Sequence, residues 1–548
     1  MSTPAVNDPT SRTGRSHAPP RGGLMQNLRE MERTREAYWR RYPTTSPTRL
    51  RWRAQAVRHA MHVTAGDALL EIGAGGGLWT RELAATLPDS DITAAVFNDD
   101  LAGGAQLPAE SEVVLVRSRD DLESARFDFV VGTAILSHDR YQEHLDWIRS
   151  LLRPGGQLLF FEANYWNPQV FLKAQSVRVA RWSRNAECQI ALRKAAVSRA
   201  LARQGFAESI VVPYDILHAR TPRRLVATVQ SAAFIAEHLP VVREACGQLF
   251  INARLPGTGL RRPHPDLSRH ELFRGAVSVV IPCHNEAMNV PRLVDALRQS
   301  YDPYLREIVL VDDNSEDDTA AVGEGLAARD PRVRVVRRSP PAGVGRALRD
   351  GYAATTGDYV LTMDCDFEML VPELRDLFDT VAAGRDGAIG SRFSHDSVLL
   401  NYPAGKLVGN RAFHVLVRLV TRRRVRDVSN NLKLYRGDIM RALKITQDGF
   451  AANAETGLAP ILAGADIEEV PIAWINREAD MGASSFKVLR VAPGYAMALA
   501  RMLRDSRADH RGDRFAASAV SVILRDHATR KPSAADRRGG RDRETHEP

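Results

Sequence analysis

Short apolar runs alternate with amphipathic stretches over two long parts of the chain. Ala68–Ile72 and Val277–Ile281 are apolar runs that predict strands, and each passes through a glycine-rich or polar turn into a predicted helix. Strand, turn and helix in succession are typical of parallel sheets, in which ligands bind at the carboxyl ends of the strands. The pattern therefore predicts an α/β protein built from two Rossmann-like domains.

Changes in this pattern set the expected domain boundaries. Residues 1–45 are rich in Arg, Pro, Ser and Thr, and we expect them to be disordered or weakly ordered. The first domain is expected over residues 46–256 and the second over residues 273–505, joined by a linker, 257–272, that is dense in Gly, Pro and Arg. The charged tail, 506–548, lacks apolar periodicity and is expected to be largely disordered.

The composition narrows the class of protein. A chain of 548 residues, 44% of them hydrophobic and 26% charged, is typical of a globular protein with more than one domain. The formal net charge is +9, and 68 of the 75 basic residues are Arg, which pairs well with phosphate oxygens. The four cysteines stand far apart, which argues against a disulfide scaffold or a zinc motif and favours a reducing, cytoplasmic compartment. No secretory signal is visible, and no apolar run reaches the roughly 20 residues of a membrane span.

A glycine-rich turn follows the first predicted strand, in the sequence LLEIGAGGGLWTREL. Glycines at Gly73, Gly75 and Gly77 let the backbone turn tightly and approach a ligand closely, because a Cβ would collide with it. The same turn also occurs in this kind of fold without any ligand. The motif alone therefore indicates a candidate nucleoside site at the end of this strand.

Two later stretches strengthen that interpretation. FDFVVGTAILSHD (Phe127–Asp139) predicts a buried strand with a polar exit, and LRPGGQLLFFEAN (Leu152–Asn164) predicts a turn and a strand. In this order, the three stretches resemble class I S-adenosylmethionine-dependent methyltransferases. The resemblance implies a seven-stranded sheet, S-adenosyl-L-methionine as methyl donor, and a cofactor site formed by Glu71, Gly73, Ala74, Gly75, Gly77, Asp99, Asp120 and Asp121.

One position departs from that family. Its second strand usually ends in an acidic residue that binds the ribose hydroxyls, whereas Val96 or Phe97 stands there in this chain. Asn98 or Asp99 would replace the acid if the turn shifts by a residue or two. Two interpretations stay open, an active methyltransferase domain and a scaffold domain that retains only the fold.

The second domain carries a pair of carboxylates at the end of an apolar strand. Asp364 and Asp366 are two residues apart, and Glu368 follows. Carboxylates this close repel each other unless a cation lies between them, and hard oxygen ligands suit Mg²⁺ or Mn²⁺. Such a cation would bridge a nucleotide diphosphate and neutralise the leaving group. A bare pair is common in solvated turns, but here the polar segments IPCHNE and VLVDDNS follow two earlier strands.

These segments together resemble family 2 glycosyltransferases with the GT-A fold, and among them dolichol-phosphate mannosyltransferases and related polyprenyl-phosphate sugar transferases. The resemblance implies a metal site of Asp364, Asp366 and Glu368. It implies a nucleotide-sugar site formed by Pro282, His284, Glu286, Val311, Asp313, Asp364, Cys365 and Asp366. The implied acceptor site comprises Arg392, Lys406, Arg477, Ser485 and Lys487, and the implied catalytic residues are Asp364, Asp366, Arg392, Arg477 and Lys487.

Three features depart from this second family. His284 stands where Tyr is frequent, and the segment Arg426–Arg436 keeps Asp427 and Ser429 but loses a glycine. The interval from Arg477 to Lys487 is longer than in the mannosyltransferases. The GT-A fold is expected to hold, and the sugar stays open.

The leading hypothesis is a bifunctional protein. A metal-dependent, inverting glycosyltransferase would move a sugar from a nucleotide sugar to a polyprenyl phosphate, and a methyltransferase domain would be fused to it. Lys406–Arg424 is an apolar stretch that runs into arginines, which predicts either peripheral contact with the cytoplasmic face of a membrane or a core helix with solvated arginines. No nucleic-acid partner is expected, because aromatic residues do not interleave the basic ones. The alternatives are modification of a soluble or natural-product acceptor by both domains, and a first domain that is only a scaffold.

Overall fold

The computed structural model describes residues 23–87, 90–103, 111–122, 125–136, 141–175, 191–257, 267–394, 396–475, 488–510, 519–521 and 523–524. Contacts divide the described residues into two compact units, one up to residue 257 and one from residue 267 onward, except that Leu400–Ala404 and residues 474–475 group with the first unit. Each unit contains a seven-stranded sheet. This confirms the α/β fold class with two Rossmann-like sheets.

The elements of the first unit alternate as the hydrophobic pattern predicts. Its strands are β1 (Ala68–Ile72), β2 (Asp91–Val96), β3 (Ser111–Leu115), β4 (Phe127–Thr133), β5 (Leu152–Ala163), β6 (Ala207–Tyr214) and β7 (Gln248–Arg254). Its helices are α1 (Leu24–Arg41), Ser46–Met61, Leu78–Thr86, Asp99–Ala102, Tyr141–Leu151, Pro168–Gln175, Lys194–Arg203, Arg223–Ala236 and Pro240–Glu244, with a 3₁₀ turn at Asp120–Leu122.

The strand order of this sheet is β3-β2-β1-β4-β5-β7-β6. β7 runs antiparallel to both β5 and β6, whereas the other pairings are parallel. β4 is buried along its whole length, as expected of a central strand covered on both faces. β1 lies between β2 and β4, so the order reverses beside it and a crevice forms at its carboxyl end. The glycine loop therefore begins at the place where such sheets bind ligands.

The segment expected to be disordered or weakly ordered contains helix α1, which is 18 residues long. Leu24 and Leu28 pack into the main core of the first unit. The helix also buries Glu32, Arg35 and Glu36, each no more than 3% exposed. The sequence indicates only a polar, weakly helical stretch around Leu28–Arg41, and the helix begins earlier, at Leu24, because the face that it buries is largely polar and gives no clear apolar period.

The second unit has its own set of elements. Its strands are β8 (Val277–Cys283), β9 (Leu305–Asp312), β10 (Val333–Arg337), β11 (Tyr359–Thr362), β12 (Gly387–Ser391), β14 (Lys433–Arg436) and β15 (Ile467–Pro471). Two further strands, β13 (Val398–Leu400) and β16 (Ala473–Ile475), pair with each other in a two-stranded sheet and include residues that group with the first unit. Its helices are Asn289–Tyr301, Thr319–Ala327, Val344–Ala353, Leu374–Ala382, Ala404–Thr421, Gly437–Arg441, Ala452–Ala463 and Val488–His510, with 3₁₀ segments at Leu267–Phe273, Asp302–Tyr304 and Phe367–Glu373.

The order of the second large sheet is β10-β9-β8-β11-β14-β12-β15, and β14 is antiparallel to both of its neighbours. β10, β9, β8 and β11 are parallel, so the polar segments that follow β8, β9 and β11 emerge at one edge. The last helix extends to His510, past the expected end of the domain at residue 505. None of the described helices is both long and apolar enough to cross a membrane.

Candidate functional site

The carboxylate pair lies directly after β11. Asp364 is half-buried and Asp366 is exposed. Burial, together with the nearby charge of Asp366, raises the pKa of Asp364. Within the described parts of the chain, no three His, Cys, Asp or Glu side chains are grouped so that they could hold a metal, and Glu368 therefore does not complete a three-carboxylate cluster. The structure offers two carboxylates whose charges a cation would stabilise.

A side chain from the neighbouring strand region fixes one member of the pair. Asn431 precedes β14 and donates a hydrogen bond from Nδ2 to Oδ1 of Asp364 (2.6 Å). Asn431 is almost fully buried, and its own Oδ1 accepts no hydrogen bond from the described residues. It lies in the segment where the sequence departs from the family by losing a glycine, and sequence reasoning gave it no role.

Replacing Asn431 by alanine is expected to raise the KM for the divalent cation and to lower turnover roughly tenfold, because a hydrogen bond to a charged group is worth about 1.5–3 kcal/mol. Cation-dependence curves for sugar transfer measure both quantities. Thermal unfolding of the variant separates this effect from a loss of folded protein. An unchanged cation requirement would show that Asn431 does not position Asp364.

The segment after β8 supplies three of the predicted nucleotide contacts. Pro282 and Glu286 are half-buried, and His284 is exposed while its Nδ1 lies 3.0 Å from the carbonyl oxygen of Asp313. Asn289 donates a hydrogen bond to Glu286 Oε2 (2.6 Å). Burial and, to a smaller degree, the charge of Asp366 raise the pKa of Glu286. The structure therefore brings the end of β8 to the same place as the carboxylate pair.

The segment after β9 is held by ion pairs. Asp313 accepts hydrogen bonds from Arg338 and from the backbone N–H of Gly343 (2.6 Å to the latter). Arg338 also donates to Asp350 (2.6 Å). Val311, by contrast, is fully buried in the core of the second unit, so its side chain does not face the edge where a nucleotide would lie. Arg338 is a residue of this region that the sequence motifs did not indicate.

Cys365, between the two aspartates, points into the protein. It is 3% exposed, and its Sγ lies 3.7 Å from Sγ of Cys283 at the end of β8. The two cysteines lie side by side because they extend the parallel pairing of β8 with β11 past the ends of these strands. The Cys365 side chain therefore packs in the protein interior, beneath the carboxylate pair. Only its backbone is left to contact a nucleotide sugar.

The predicted acceptor residues fall into two groups. Arg392 follows β12 and forms a bidentate ion pair with the fully buried Asp427, at 2.7 Å from Nε to Oδ2 and 2.8 Å from Nη2 to Oδ1. Lys406 is half-buried, and its pKa is lowered by burial and by the charge of Arg392, while Asp366 acts in the opposite direction. The structure thus brings Arg392, Lys406 and Asp366 within electrostatic reach of one another. Arg477, Ser485 and Lys487 lie outside the described residues.

A buried lysine lies in the same region and was missed from the sequence. Lys433 is fully buried, and its ammonium donates to the backbone carbonyl oxygens of Asn430 and of Asn453 (3.1 Å to the latter). Burial lowers its pKa to about 7, against the opposing influence of Asp364 and Asp427. Lys433 is therefore near enough to Asp364 and to Asp427 for their charges to act on it.

The glycine loop of the first unit has the conformation that its sequence predicts. Gly73, Gly75 and Gly77 have φ values of +74°, +58° and +77°, which disfavour any residue with a Cβ. Ala74 is fully buried. Glu71, also buried, accepts a hydrogen bond from Thr80 Oγ1 (2.7 Å), and burial raises its pKa to about 7.

The other predicted cofactor residues lie near the ends of β2 and β3. Asp99 forms an exposed ion pair with Arg117 (2.8 Å). Asp121 accepts backbone hydrogen bonds from Arg117 (2.6 Å) and Ser118 (2.9 Å), and Asp120 is exposed beside it. Of the two residues that could replace the missing acid at the end of β2, Asp99 pairs with Arg117 and Asn98 contacts Glu32 of helix α1. Glu32 accepts hydrogen bonds from the Phe97 backbone (3.0 Å) and from Asn98 Nδ2 (2.6 Å).

Comparison with known proteins assigns both units. Residues 278–443 match the model "Glycosyl transferase family 2", and residues 41–211 match the model "Methyltransferase domain". The chain is 30% identical over 226 residues to a polyprenol monophosphomannose synthase from Mycolicibacterium smegmatis, covering 39% of this chain and 83% of that protein. It is 29% identical over 212 residues to an undecaprenyl-phosphate mannosyltransferase from Micrococcus luteus, covering 37% and 84% respectively.

Among solved structures, glucosyl-3-phosphoglycerate synthase from Mycobacterium tuberculosis with Mn²⁺ and UDP-glucose is similar at 19% identity and a TM-score of 0.33, over 43% of this chain and 84% of that one.

Proposed function

Because the chain belongs to glycosyl transferase family 2 and carries a methyltransferase domain, we propose that it transfers a sugar from a nucleotide sugar to a polyprenyl phosphate and that its first unit uses S-adenosylmethionine. The feature that supports the sugar transfer most directly is the carboxylate pair at the end of β11, with Lys406 near enough for its charge to lower the pKa of Asp366 against the effect of burial. In this arrangement the carboxylate pair would serve the donor's diphosphate, and the Lys406 ammonium would bind the acceptor phosphate.

The carboxylate pair fits a divalent cation. Asp364 and Asp366 are hard oxygen donors at a strand end, and their mutual repulsion disfavours two bare charges at this position. A bound Mg²⁺ or Mn²⁺ would neutralise the diphosphate as it leaves. Asn431 would hold Asp364 in place through its hydrogen bond. Glu286 lies close enough to Asp366 for their charges to interact, and it marks the nucleotide side of the pair.

The acceptor end is suited to a phosphate that needs no deprotonation. A phosphate monoester has a second pKa near 6, so at neutral pH it is largely a dianion, and transfer requires positioning more than a general base. Lys406 would contact this phosphate, with Arg392 beside it, and Arg477, Ser485 and Lys487 are proposed partners from the segment that the structure does not describe. The phosphate oxygen would then attack the anomeric carbon directly, which inverts its configuration.

Peripheral membrane contact is proposed for the helix Ala404–Thr421. Its exposed apolar side chains recur at helical spacing, and the exposed arginines 418, 422, 423 and 424 lie at its carboxyl end. The apolar set is Val408, Val415, Leu416, Leu419 and Val420, each at least 43% exposed. An apolar face beside arginines suits the interface of an anionic membrane, where a polyprenyl phosphate is found.

The test is a transfer assay with purified full-length protein, radiolabelled nucleotide sugars and extracted polyprenyl phosphates, followed by solvent partition. Nucleotide-activated mannose is the first donor to test, because two relatives carry mannose in their names. Label in the organic phase that depends on the lipid phosphate is the expected result. Label that enters only water-soluble acceptors would instead support the alternative of a soluble or natural-product substrate.

Replacing Lys406 by alanine is expected to raise the KM for the lipid phosphate roughly 10- to 100-fold while changing the KM for the nucleotide sugar little, since a charge-assisted contact is lost at the acceptor end only. Lys406→Arg should recover most of the loss. Lys444→Ala, an exposed lysine of the same unit, serves as the matched control. Equal effects on both KM values would contradict an acceptor role.

The first unit does not fit S-adenosylmethionine as it stands. The backbone N–H groups of its glycine loop are the donors expected to face the cofactor, yet two of them already bind carboxylates of helix α1. Methyl transfer is therefore supported by the match to the methyltransferase model and by the glycine loop. The competing interpretation is that the first unit is only a scaffold. Calorimetric titration of the full chain with S-adenosylmethionine distinguishes the two.

A further inference from the structure

Helix α1 covers the face of the glycine loop that a ligand would approach. A Cβ placed on Gly75 would lie 3.0 Å from Oε2 of Glu36, and one placed on Gly76 would lie 2.7 Å from Oε1 of the same side chain. A Cβ on Gly73 would lie 3.2 Å from Nη1 of Arg35. The space that glycine residues leave open here is thus taken by side chains of the same chain.

Two carboxylates of α1 also take the hydrogen-bond donors of the site. Glu32 Oε1 accepts from the backbone N–H of Gly75 (3.0 Å), and Glu36 Oε2 accepts from that of Gly76 (3.3 Å). Glu32 reaches the end of β2 as well, where it accepts from Phe97 and Asn98. Loop amides after a strand are donors for the anionic and hydroxyl groups of ligands. The two glutamates therefore occupy hydrogen-bond donors on both sides of the crevice. Glu32 and Glu36 bind the loop after β1, and Glu32 also binds the end of β2.

The contact between α1 and the loop leaves polar groups unsatisfied. Arg35 is 2% exposed and donates from Nη1 to the carbonyl oxygen of Thr133 (2.8 Å), but its Nε and Nη2 have no hydrogen-bond acceptor among the described residues. Asn27 Oδ1 is likewise buried without a donor in the described part of the chain. Buried donors and acceptors without partners destabilise the state that buries them. Moving α1 away from the loop would return these groups to water.

We propose that helix α1 is a displaceable intrachain cover of the nucleoside site, and that a cofactor binds the glycine loop only after Glu32 and Glu36 have left it. This inference rests on the proposed function of the first unit as a binder of S-adenosylmethionine. Both oxygens of Glu32 already accept hydrogen bonds and its side chain is fully buried, which favours a cover over a cofactor ligand. The first unit would then bind cofactor weakly until something holds α1 open.

The experiment compares binding of S-adenosylmethionine to three forms of the full chain by calorimetry. These are the natural sequence, the double variant Glu32→Ala/Glu36→Ala, and the control Glu30→Ala, which changes an exposed glutamate of the same helix. The double variant is expected to bind at least about tenfold more tightly, because the affinity of a closed site is reduced by the fraction that is open. The control should bind like the natural sequence. Hydrogen exchange of peptides that contain Gly75, Gly76 and Phe97 should become faster in the double variant without any ligand.

Other results would overturn the inference in distinguishable ways. Weaker binding by the double variant would make Glu32 and Glu36 cofactor ligands, and equal binding would make α1 a neutral neighbour of the site. Hydrogen exchange could become faster in the double variant while none of the three forms binds S-adenosylmethionine. In that case the first unit does not use this cofactor, and the proposed cover excludes no ligand. Should the double variant not fold, Glu36→Ala alone is the milder test, since Glu36 contacts a single loop amide and otherwise pairs with Arg40.

Discussion

Replacement of Asp366 by alanine is expected to lower the rate of sugar transfer by roughly 10³-fold, which corresponds to about 4 kcal/mol of transition-state stabilisation. Asp366 is exposed at the end of β11, so its loss removes a cation ligand without opening a cavity in the core. The folded state should therefore be retained. Initial rates over a range of Mn²⁺ and Mg²⁺ concentrations, with thermal unfolding in parallel, measure the two effects separately.

Asp295→Ala is the matched control, because Asp295 is an exposed aspartate of the same unit on the helix Asn289–Tyr301. It should retain full activity. Removing divalent cations from the natural sequence with a chelator should give a loss as large as the Asp366 variant. A transferase that is insensitive to the chelator, or an Asp366 variant with a near-normal rate, would exclude a metal at this pair.

Replacement of Arg392 by alanine is expected to destabilise the second unit by about 3–5 kcal/mol, because it leaves a buried carboxylate without its partner. Asp427 is fully buried, and Arg392 supplies two side-chain hydrogen bonds and one from its backbone. Urea unfolding, followed by hydrogen exchange in peptides from β12 and β14, reports on this unit even if the whole chain does not unfold in one step.

A second substitution shows whether the effect comes from the unpaired charge. Arg392→Met combined with Asp427→Leu should regain much of the lost stability, since a buried ion pair can often be replaced by apolar residues without loss. Arg385→Ala, which breaks an exposed ion pair with Asp466, should change the stability little. If Arg392→Ala unfolds like the natural sequence, the pair contributes nothing to the fold, and Arg392 is available to an acceptor phosphate alone.

Much of the architecture could be predicted from the sequence, because the central parallel strands β1, β8, β9 and β11 contain apolar runs that end in a polar or glycine turn. Parallel strands align these turns at one edge, and this is why Asp364, Asp366 and Glu286 come together as the motifs predict. The seven strands of the first sheet were implied by the resemblance to class I methyltransferases, and the structure has that number. Local sequence was sufficient for the residues that the strand ends themselves contribute.

The remaining site residues depend on contacts between distant parts of the chain. Glu32 meets Gly75 across 43 residues, and Asn431 meets Asp364 across 67. Neither residue belongs to a motif, and Glu32 comes from a stretch that is too polar to predict burial. Val311 was expected at the nucleotide, but β9 is buried on both faces from Glu307 to Asp312, and Val311 packs in the core. The end of a strand can be predicted from the sequence more easily than the distant side chain that contacts it.

The segment from Asp427 to Lys433 contacts both halves of the proposed reaction. Asp427 holds Arg392 of the proposed acceptor site, Asn431 holds Asp364 of the proposed donor site, and the charges of both carboxylates act on Lys433. If the proposed reaction holds, the length and geometry of this one segment set the spacing between the leaving diphosphate and the incoming phosphate. Engineering that inserts or deletes a residue here cannot tune one substrate alone, whereas changes at Lys406 or Glu286 can.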